Sequence, residues 1–319
     1  MNRIIIIIVC VFALILGFNF SNSLYSYTTT IDNTSTISLE TNKGIVEVPL
    51  NPKRVVILDY GILDIMNNLN IRVDHLGTST FTKPSYIEEY PSITTYDVGN
   101  LKNPDIEKII EFKPDLIIIS GRQIPYYDQL SKIAPTVDVS CNNSSYINSI
   151  NHNIRLIGKL FDKADQAELL IRDVENSIIY INSMSNVSEK GLILMAFGNK
   201  LRAYSPNSAL SGLAYNACKL QTVVSDDNNR FAEGASSLAM ITPEYIKSSN
   251  PKYIIVIDRD AAIKANKTKK DLLDTEFLKD VDAIKNNKVI YVDSEVWYLA
   301  GGGITATKIM LKDIENAIK

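Results

Sequence analysis

The sequence predicts an α/β fold of two lobes joined by one long α-helix, with a ligand cleft between the lobes. Three observations carry this. The stretch IEKIIEFKPDLIIISGR at 106–122 recurs as PEYIKSSNPKYIIVIDR at 243–259, at a constant offset of 137 residues. In both copies a short amphipathic run stops at a proline (Pro114, Pro251), where a helix cannot continue. The apolar segments that follow, LIIIS and YIIVI, read as parallel strands buried on both faces. Second, an apolar strand opens each half, RVVIL at 54–58 and GLILMAF at 191–197. Third, an uninterrupted amphipathic helix lies between the halves. Two Rossmann-like lobes with parallel sheets are the arrangement that satisfies all three, and only two copies exist, so this is duplication within one binding unit and not a solenoid.

In chain order, MNRIIIIIVCVFALILGF is a cationic tip followed by an apolar run. It reads as a signal peptide over residues 1–23, with a small-residue cleavage site in SNS, or as an N-terminal membrane anchor. Val9 stands before Cys10 where lipidation wants a small residue. Residues 24–40, rich in Ser, Thr, Asn and Tyr, read as a flexible spacer. The first lobe spans 41–160: a hairpin-like start, the strand at 54–58, the helix ILDIMNNLN, the strand VDHLGTS, a long polar loop to Asn100, the first repeat copy, and two closing helices. The connecting helix spans 161–186. Asp162 is placed to cap it, and positions 167, 170, 171, 174, 178 and 181 are apolar at helical spacing. Over 162–185 it would be about 35 Å long. The second lobe, 187–319, runs through a loop and helix after its first strand, the polar loop SDDNNRFAEGASS, the second repeat copy, a Lys-rich helix, the strand KVIYVD, the loop SEVWYLAGGG and a final helix. Cys141 and Cys218, one per lobe, read as free thiols rather than a disulfide.

Composition narrows the function. With 33 Lys and Arg against 36 Asp and Glu, the net charge is −3 and no basic block suggests nucleic acid. At 319 residues the chain has room for two ordinary domains. No paired carboxylates, nucleophile elbow, P-loop or zincin pattern is present, so a binder is expected, not an enzyme. GGGITA at 301–306 matches a dinucleotide-binding pattern formally, but it lies beyond its strand and leaves no chain for a second strand. A Zn or Mn receptor would need converging histidines, and the chain has only His75 and His152, each expected to make a local hydrogen bond.

The chemistry is expected at the strand ends. Arg122 and Arg259 occupy matched positions at the carboxyl ends of central strands, where open α/β sheets place their crevice. Arg202 lies in the loop AFGNKLR after the second lobe's first strand. Three guanidiniums facing one cleft would form an anion site, since each planar fork matches oxyanions. Trp297 and Tyr298 form an aromatic pair at the cleft rim, and a phenol oxygen is a hard ligand suited to Fe(III).

Taken together, SGRQ at 120–123, AFGNKLR at 196–202, VIDRD at 256–260 with NK at 266–267, and VDSEVWYLAGG at 292–302 resemble a known family. They are similar to the helix-linked (class III) substrate-binding proteins of bacterial ferric-siderophore ABC importers, of the petrobactin/enterobactin catecholate type. The resemblance covers about 270 residues. It implies an extracytoplasmic monomer, in the periplasm or on the outer face of the cytoplasmic membrane, that captures a ferric siderophore and delivers it to permease subunits. It implies that Arg122, Arg202 and Arg259 contact anionic catecholates and that Tyr298 can coordinate iron directly. Fe(III) arrives with the ligand, and no cofactor is expected. It also implies an acidic docking residue on each lobe, with Glu88 or Glu89 the first-lobe choice. Some members add a histidine iron ligand from the loop before the second repeat. Here that region holds Ser237 and Leu238, and no histidine follows His152. A hexadentate siderophore, or a tetradentate one completed by Tyr298 and water, is therefore expected. A haem or cobalamin receptor of the same architecture remains the alternative.

Overall fold

The fold is that of a computed structural model, which describes residues 35–81, 83–87, 89–142, 145–198, 200–206, 208–224, 238–263 and 272–319. The expected signal peptide or anchor lies outside the described residues, as do most of the spacer, the polar loop at 225–237 and the Asn-Lys pair at 266–267. Among the described residues no helix is long and apolar enough to cross a membrane.

Strands β1 (Thr36–Thr41) and β2 (Gly44–Pro49) form an antiparallel hairpin, so the last residues of the predicted spacer are ordered into a strand. The first lobe follows as β3 (Arg54–Ile57), α1 (Tyr60–Asn68), β4 (Val73–Thr78), β5 (Ser92–Asp97), α2 (Ile106–Phe112), β6 (Leu116–Ile119) and β7 (Thr136–Asp138). Its five strands are all parallel, in the order β5-β4-β3-β6-β7. Strand β5 lies inside what the sequence suggested was a long polar loop.

Two helices then run in succession, α3 (Tyr146–Leu160) and α4 (Ala164–Asn182). Helix α4 is the predicted connector, shorter than expected: its 19 residues span about 28 Å. Its buried face is Ala167, Ile171, Val174, Ile178 and Ile181, with Leu170 half-buried. Asp162 does not cap it. That residue adopts φ +55° in the turn after α3, where Lys163 N–H bonds Gly158 O at 2.7 Å.

The second lobe contains β8 (Lys190–Phe197), β9 (Lys200–Tyr204), β10 (Gln221–Thr222), β11 (Leu238–Ile241), α5 (Pro243–Ser249), β12 (Ile254–Asp258), β13 (Val289–Tyr291), α6 (Ser294–Leu299) and α7 (Ile304–Ile318). Its main sheet has the order β11-β9-β8-β12-β13, with β10 alongside β8. It is mixed, not purely parallel, because β9 runs antiparallel to both β8 and β11. Arg202 therefore sits on a strand, paired with Met195, and not in a loop.

The sequence repeat is a structural repeat down to its caps. Asp105 and Thr242 cap α2 and α5 by accepting from Lys108 N and Tyr245 N, and Lys113 and Asn250 end the same helices in the left-handed conformation. Strands β6 and β12 then take the centre of each sheet beside β3 and β8. Alternate residues of β8 face different apolar clusters. Ile193 and Met195 join a core that runs continuously through α3 and α4 to Val55 and Ile117 of the first lobe. Leu192, Leu194 and Ala196 pack with Val256 and Ile246 on the other face. That continuous core makes the lobe junction a packed interior, held together by burial.

The C-terminal helix α7 returns to the first lobe, packing on both α1 and α4. Its N-terminus has no capping side chain of its own. Asp64 of α1 supplies one, accepting from Ala306 N at 3.0 Å, while Asn68 Nδ2 donates to Thr305 Oγ1 at 2.9 Å. Gly303 must be glycine for this approach, because a Cβ there would lie 2.2 Å from Asp64 Oδ2. The GGG run is thus a seat for a first-lobe carboxylate, which explains glycines that no nucleotide site required. Burial lifts the Asp64 carboxyl above the ordinary aspartate value, opposed by hydrogen bonds from Thr305, Ala306 and Asn68.

Candidate functional site

Each sheet has a switch point, where the chain leaves adjacent strands in opposite directions. In the first lobe it falls between β3 and β6, and in the second between β8 and β12. Crevices open at the carboxyl ends of such strands. The residues found there are Asp59 after β3, Ser120-Gly121-Arg122 after β6, Phe197 ending β8, and Arg259 after β12. Arg122 lies in a 3-10 turn over Gly121–Tyr126, seated by a capping box between Ser120 and Gln123. Arg259 opens a helical turn whose cap, Asp258, accepts from Ala261 N at 3.0 Å.

Tyr298 brings the two matched arginines together. It projects from α6, whose start is capped by Asp293. Arg122 Nη2 donates to the Tyr298 carbonyl at 2.9 Å, and Arg259 Nε donates to the Tyr298 hydroxyl at 3.1 Å. Both guanidiniums also stand near its ring, with Cζ 5.9 Å and 5.8 Å from the centroid. Arg122 is exposed and Tyr298 half-buried, so both can reach a ligand. Beside them a cavity of about 340 Å³ runs into the first lobe, lined by Asp59, Tyr146, Asn153, Cys141, Gly301 and Gly302 among others. Burial, aided by Asp59, pushes the Cys141 thiol up to about 12, so that wall carries no thiolate at neutral pH. Both Cys141 and Cys218 are free thiols.

Arg202 joins the group through Phe197. The Phe197 ring is 37% exposed, with Arg259 Cζ at 4.4 Å and Arg202 Cζ at 6.0 Å from its centroid. Phe197 ends β8 opposite Lys200, the first residue of β9. Arg202 Nε is buried without a hydrogen-bond partner among the described residues. Neither Arg202 nor Arg122 forms an ion pair there, and Arg259 meets Asp260 at 3.5 Å.

Trp297 does not belong to the cleft rim. It is fully buried, and its indole N–H donates to Asp313 Oδ2 of α7 at 2.8 Å. One residue along a helix turns the side chain by about 100°, so its neighbour Tyr298 faces the cleft while Trp297 faces the core. His75 Nδ1 shares a hydrogen bond with Thr94 Oγ1 at 2.7 Å, and His152 Nε2 meets Glu40 O, 112 residues away in sequence, at 3.1 Å. Of the two docking candidates, Glu88 lies outside the described residues. Glu89 is exposed and pairs with Arg72 at 3.5 Å.

Comparison with known proteins places this architecture. The profile of the family described as periplasmic binding protein matches residues 55–296. The petrobactin-binding protein YclQ of Bacillus subtilis is 34% identical over 285 residues, which cover 89% of this chain and 88% of the relative. The ferric-anguibactin-binding protein FatB of Vibrio anguillarum is 29% identical, covering 87% of this chain and 86% of the relative. Among solved structures, that of YclQ superposes with a TM-score of 0.81 at 33% identity, covering 89% of this chain and 99% of the other. The periplasmic catecholate-siderophore binding protein VctP of Vibrio cholerae gives 0.78 at 29% identity, covering 88% and 99%. With two α/β lobes, a helical connector and a cleft at matched strand ends, the chain belongs to the periplasmic binding protein family.

Proposed function

We propose that this protein captures a ferric siderophore of the catecholate type outside the cytoplasm and delivers it to the permease subunits of an ABC importer. The observation that carries the reading is a cleft with three guanidiniums of which, among the described residues, Arg259 alone has a carboxylate within 4 Å. A ferric tris-catecholate carries three negative charges and would neutralise them. At about 5 Å and an effective dielectric near 20, each guanidinium contributes roughly 3 kcal/mol of Coulomb energy per unit of ligand charge, before desolvation. The names of the relatives, binders of petrobactin and ferric anguibactin, support the same class of cargo.

Tyr298 is the residue suited to iron itself. Arg259 Nε–H occupies one face of its hydroxyl oxygen. The remaining lone pair can fill a coordination site that a tetradentate siderophore leaves open, and phenolate oxygen is a hard donor matched to Fe(III). A hexadentate ligand needs no such bond and would be held by charge alone. Glu89 is exposed, but its pairing with Arg72 just ahead of β4 sets it at the amino ends of the first-lobe strands and not on the cleft rim.

Native mass spectrometry of protein purified from its own cells tests the reading. The expected species retains one ferric siderophore. Retained haem or a corrinoid, whose propionates or phosphate the same arginines could meet, would replace it.

A further inference from the structure

Phe197 has no assigned role, yet two cleft guanidiniums meet on its ring. Arg259 Cζ lies 4.4 Å from the centroid and Arg202 Cζ 6.0 Å. The side chain stands 37% exposed at the end of β8, open to the cleft side where the two cations lie. Its orientation is held from both sides. Strand pairing sets Phe197 opposite Lys200, and the next residue, Gly198, turns at φ +57°. Asp260 Oδ2 accepts the Gly198 N–H at 2.6 Å, tying the hairpin to the helical turn that carries Arg259.

Resting on the siderophore-binding reading, we infer that Phe197 is a positioning residue: its ring holds Arg202 and Arg259 at a fixed spacing and keeps their charge available for an anionic ligand. An aromatic face attracts a cation without cancelling its charge, as a carboxylate would. The competing partner is close. Arg259 Nη1 is already 3.5 Å from Asp260 Oδ1, so a guanidinium released from the ring can move onto that carboxylate and be neutralised. Arg202, whose Nε finds no hydrogen-bond partner among the described residues, would lose the Phe197 face. The ring therefore favours the state in which both cations face the cleft.

The test uses the full folded chain, a synthetic hexadentate ferric tris-catecholate as the anionic probe and a neutral ferric trihydroxamate as control. Phe197→Leu keeps apolar volume and removes the π face, and Phe197→Tyr restores the face. The expected result is about a tenfold loss of tris-catecholate affinity for Leu, near-complete recovery for Tyr, and a shallower salt dependence of binding for Leu than for wild type. Affinity for the neutral complex, however weak, should stay within about twofold across the series. A Leu variant that binds the tris-catecholate as wild type does overturns the inference. So does a parallel loss for both probes, which would mark a contact or packing role. Failure of the wild type itself to bind the tris-catecholate overturns the functional reading instead, and is told apart because no variant is then needed.

Discussion

Arg202→Met separates a ligand-binding arginine from a structural one, because it should move stability and affinity in opposite senses. In the free protein the Arg202 Nε is buried without a hydrogen-bond partner among the described residues, and the side chain has no carboxylate partner there. Half-buried, this cation is partly desolvated, and the Phe197 ring offsets part of the cost. Methionine has similar length and no charge. On β9 it would lie between Met195 and Met240, the residues paired with position 202. Removing the unpaired charge should leave the free protein unchanged or more stable by about 1 kcal/mol, a rise of roughly 2–4 °C in Tm. The bound state should suffer, since a ligand oxyanion loses its partner in a low-dielectric cleft. The expected cost is about 2–4 kcal/mol, which is roughly 30- to 1000-fold in Kd. Thermal melts of free and loaded protein, with a fluorescence titration against a ferric tris-catecholate, measure both quantities. A free variant that melts several degrees below wild type, or one that binds with wild-type affinity, refutes the reasoning.

Tyr298→Phe should spare a hexadentate ferric ligand to within a few-fold, weaken a tetradentate one by about tenfold or more, and abolish the visible phenolate-to-iron charge-transfer band, read by absorbance during titration. Asp64→Ala leaves the buried Ala306 N–H without its acceptor and should cost about 3 kcal/mol in denaturant unfolding. Asp64 also sets a pH dependence of known sign: its carboxyl is raised in the folded state, so between the ordinary value of 3.8 and that raised value the folded state binds more protons. Wild-type stability relative to Asp64→Asn should therefore rise as pH falls through that window and decline as pH climbs back through it. A difference independent of pH would contradict the burial argument. The shared core and the α7 brace should limit lobe motion to a small rocking, so small-angle scattering of free and loaded protein should differ little, and a large compaction would contradict it.

The parts of the fold legible in the sequence are those written in local chemistry. Pro114 and Pro251 mark helix ends at the constant offset, and the structure adds matched caps at 105/242 and 113/250. The apolar runs of β6 and β12, buried on both faces, could only be central strands. Edge elements were harder. Strand β5, SITTYD, exposes Ile93 and Tyr96, so no buried face showed through its threonines. Strand β7 is three residues long, too short for a period to register. The seat of α7 on Asp64 was hidden because it pairs residues 242 positions apart, and a glycine run alone does not say what approaches it. Adjacent aromatics at 297 and 298 carry no mark of which faces the core, since helical phase decides it.

A cleft built to select an anionic ferric complex should reveal itself in the wild-type affinities for two ferric complexes of similar size and different charge. Intrinsic fluorescence serves as the readout, since Trp297, the single tryptophan of the chain, adjoins Tyr298 in the same helix. With three guanidiniums facing the ligand, the tris-catecholate with three negative charges should bind at least about a hundredfold more tightly than a neutral trihydroxamate at physiological salt, and the gap should narrow as salt is raised. Equal affinity for the two complexes would mean that the three guanidiniums do not select the ligand by charge.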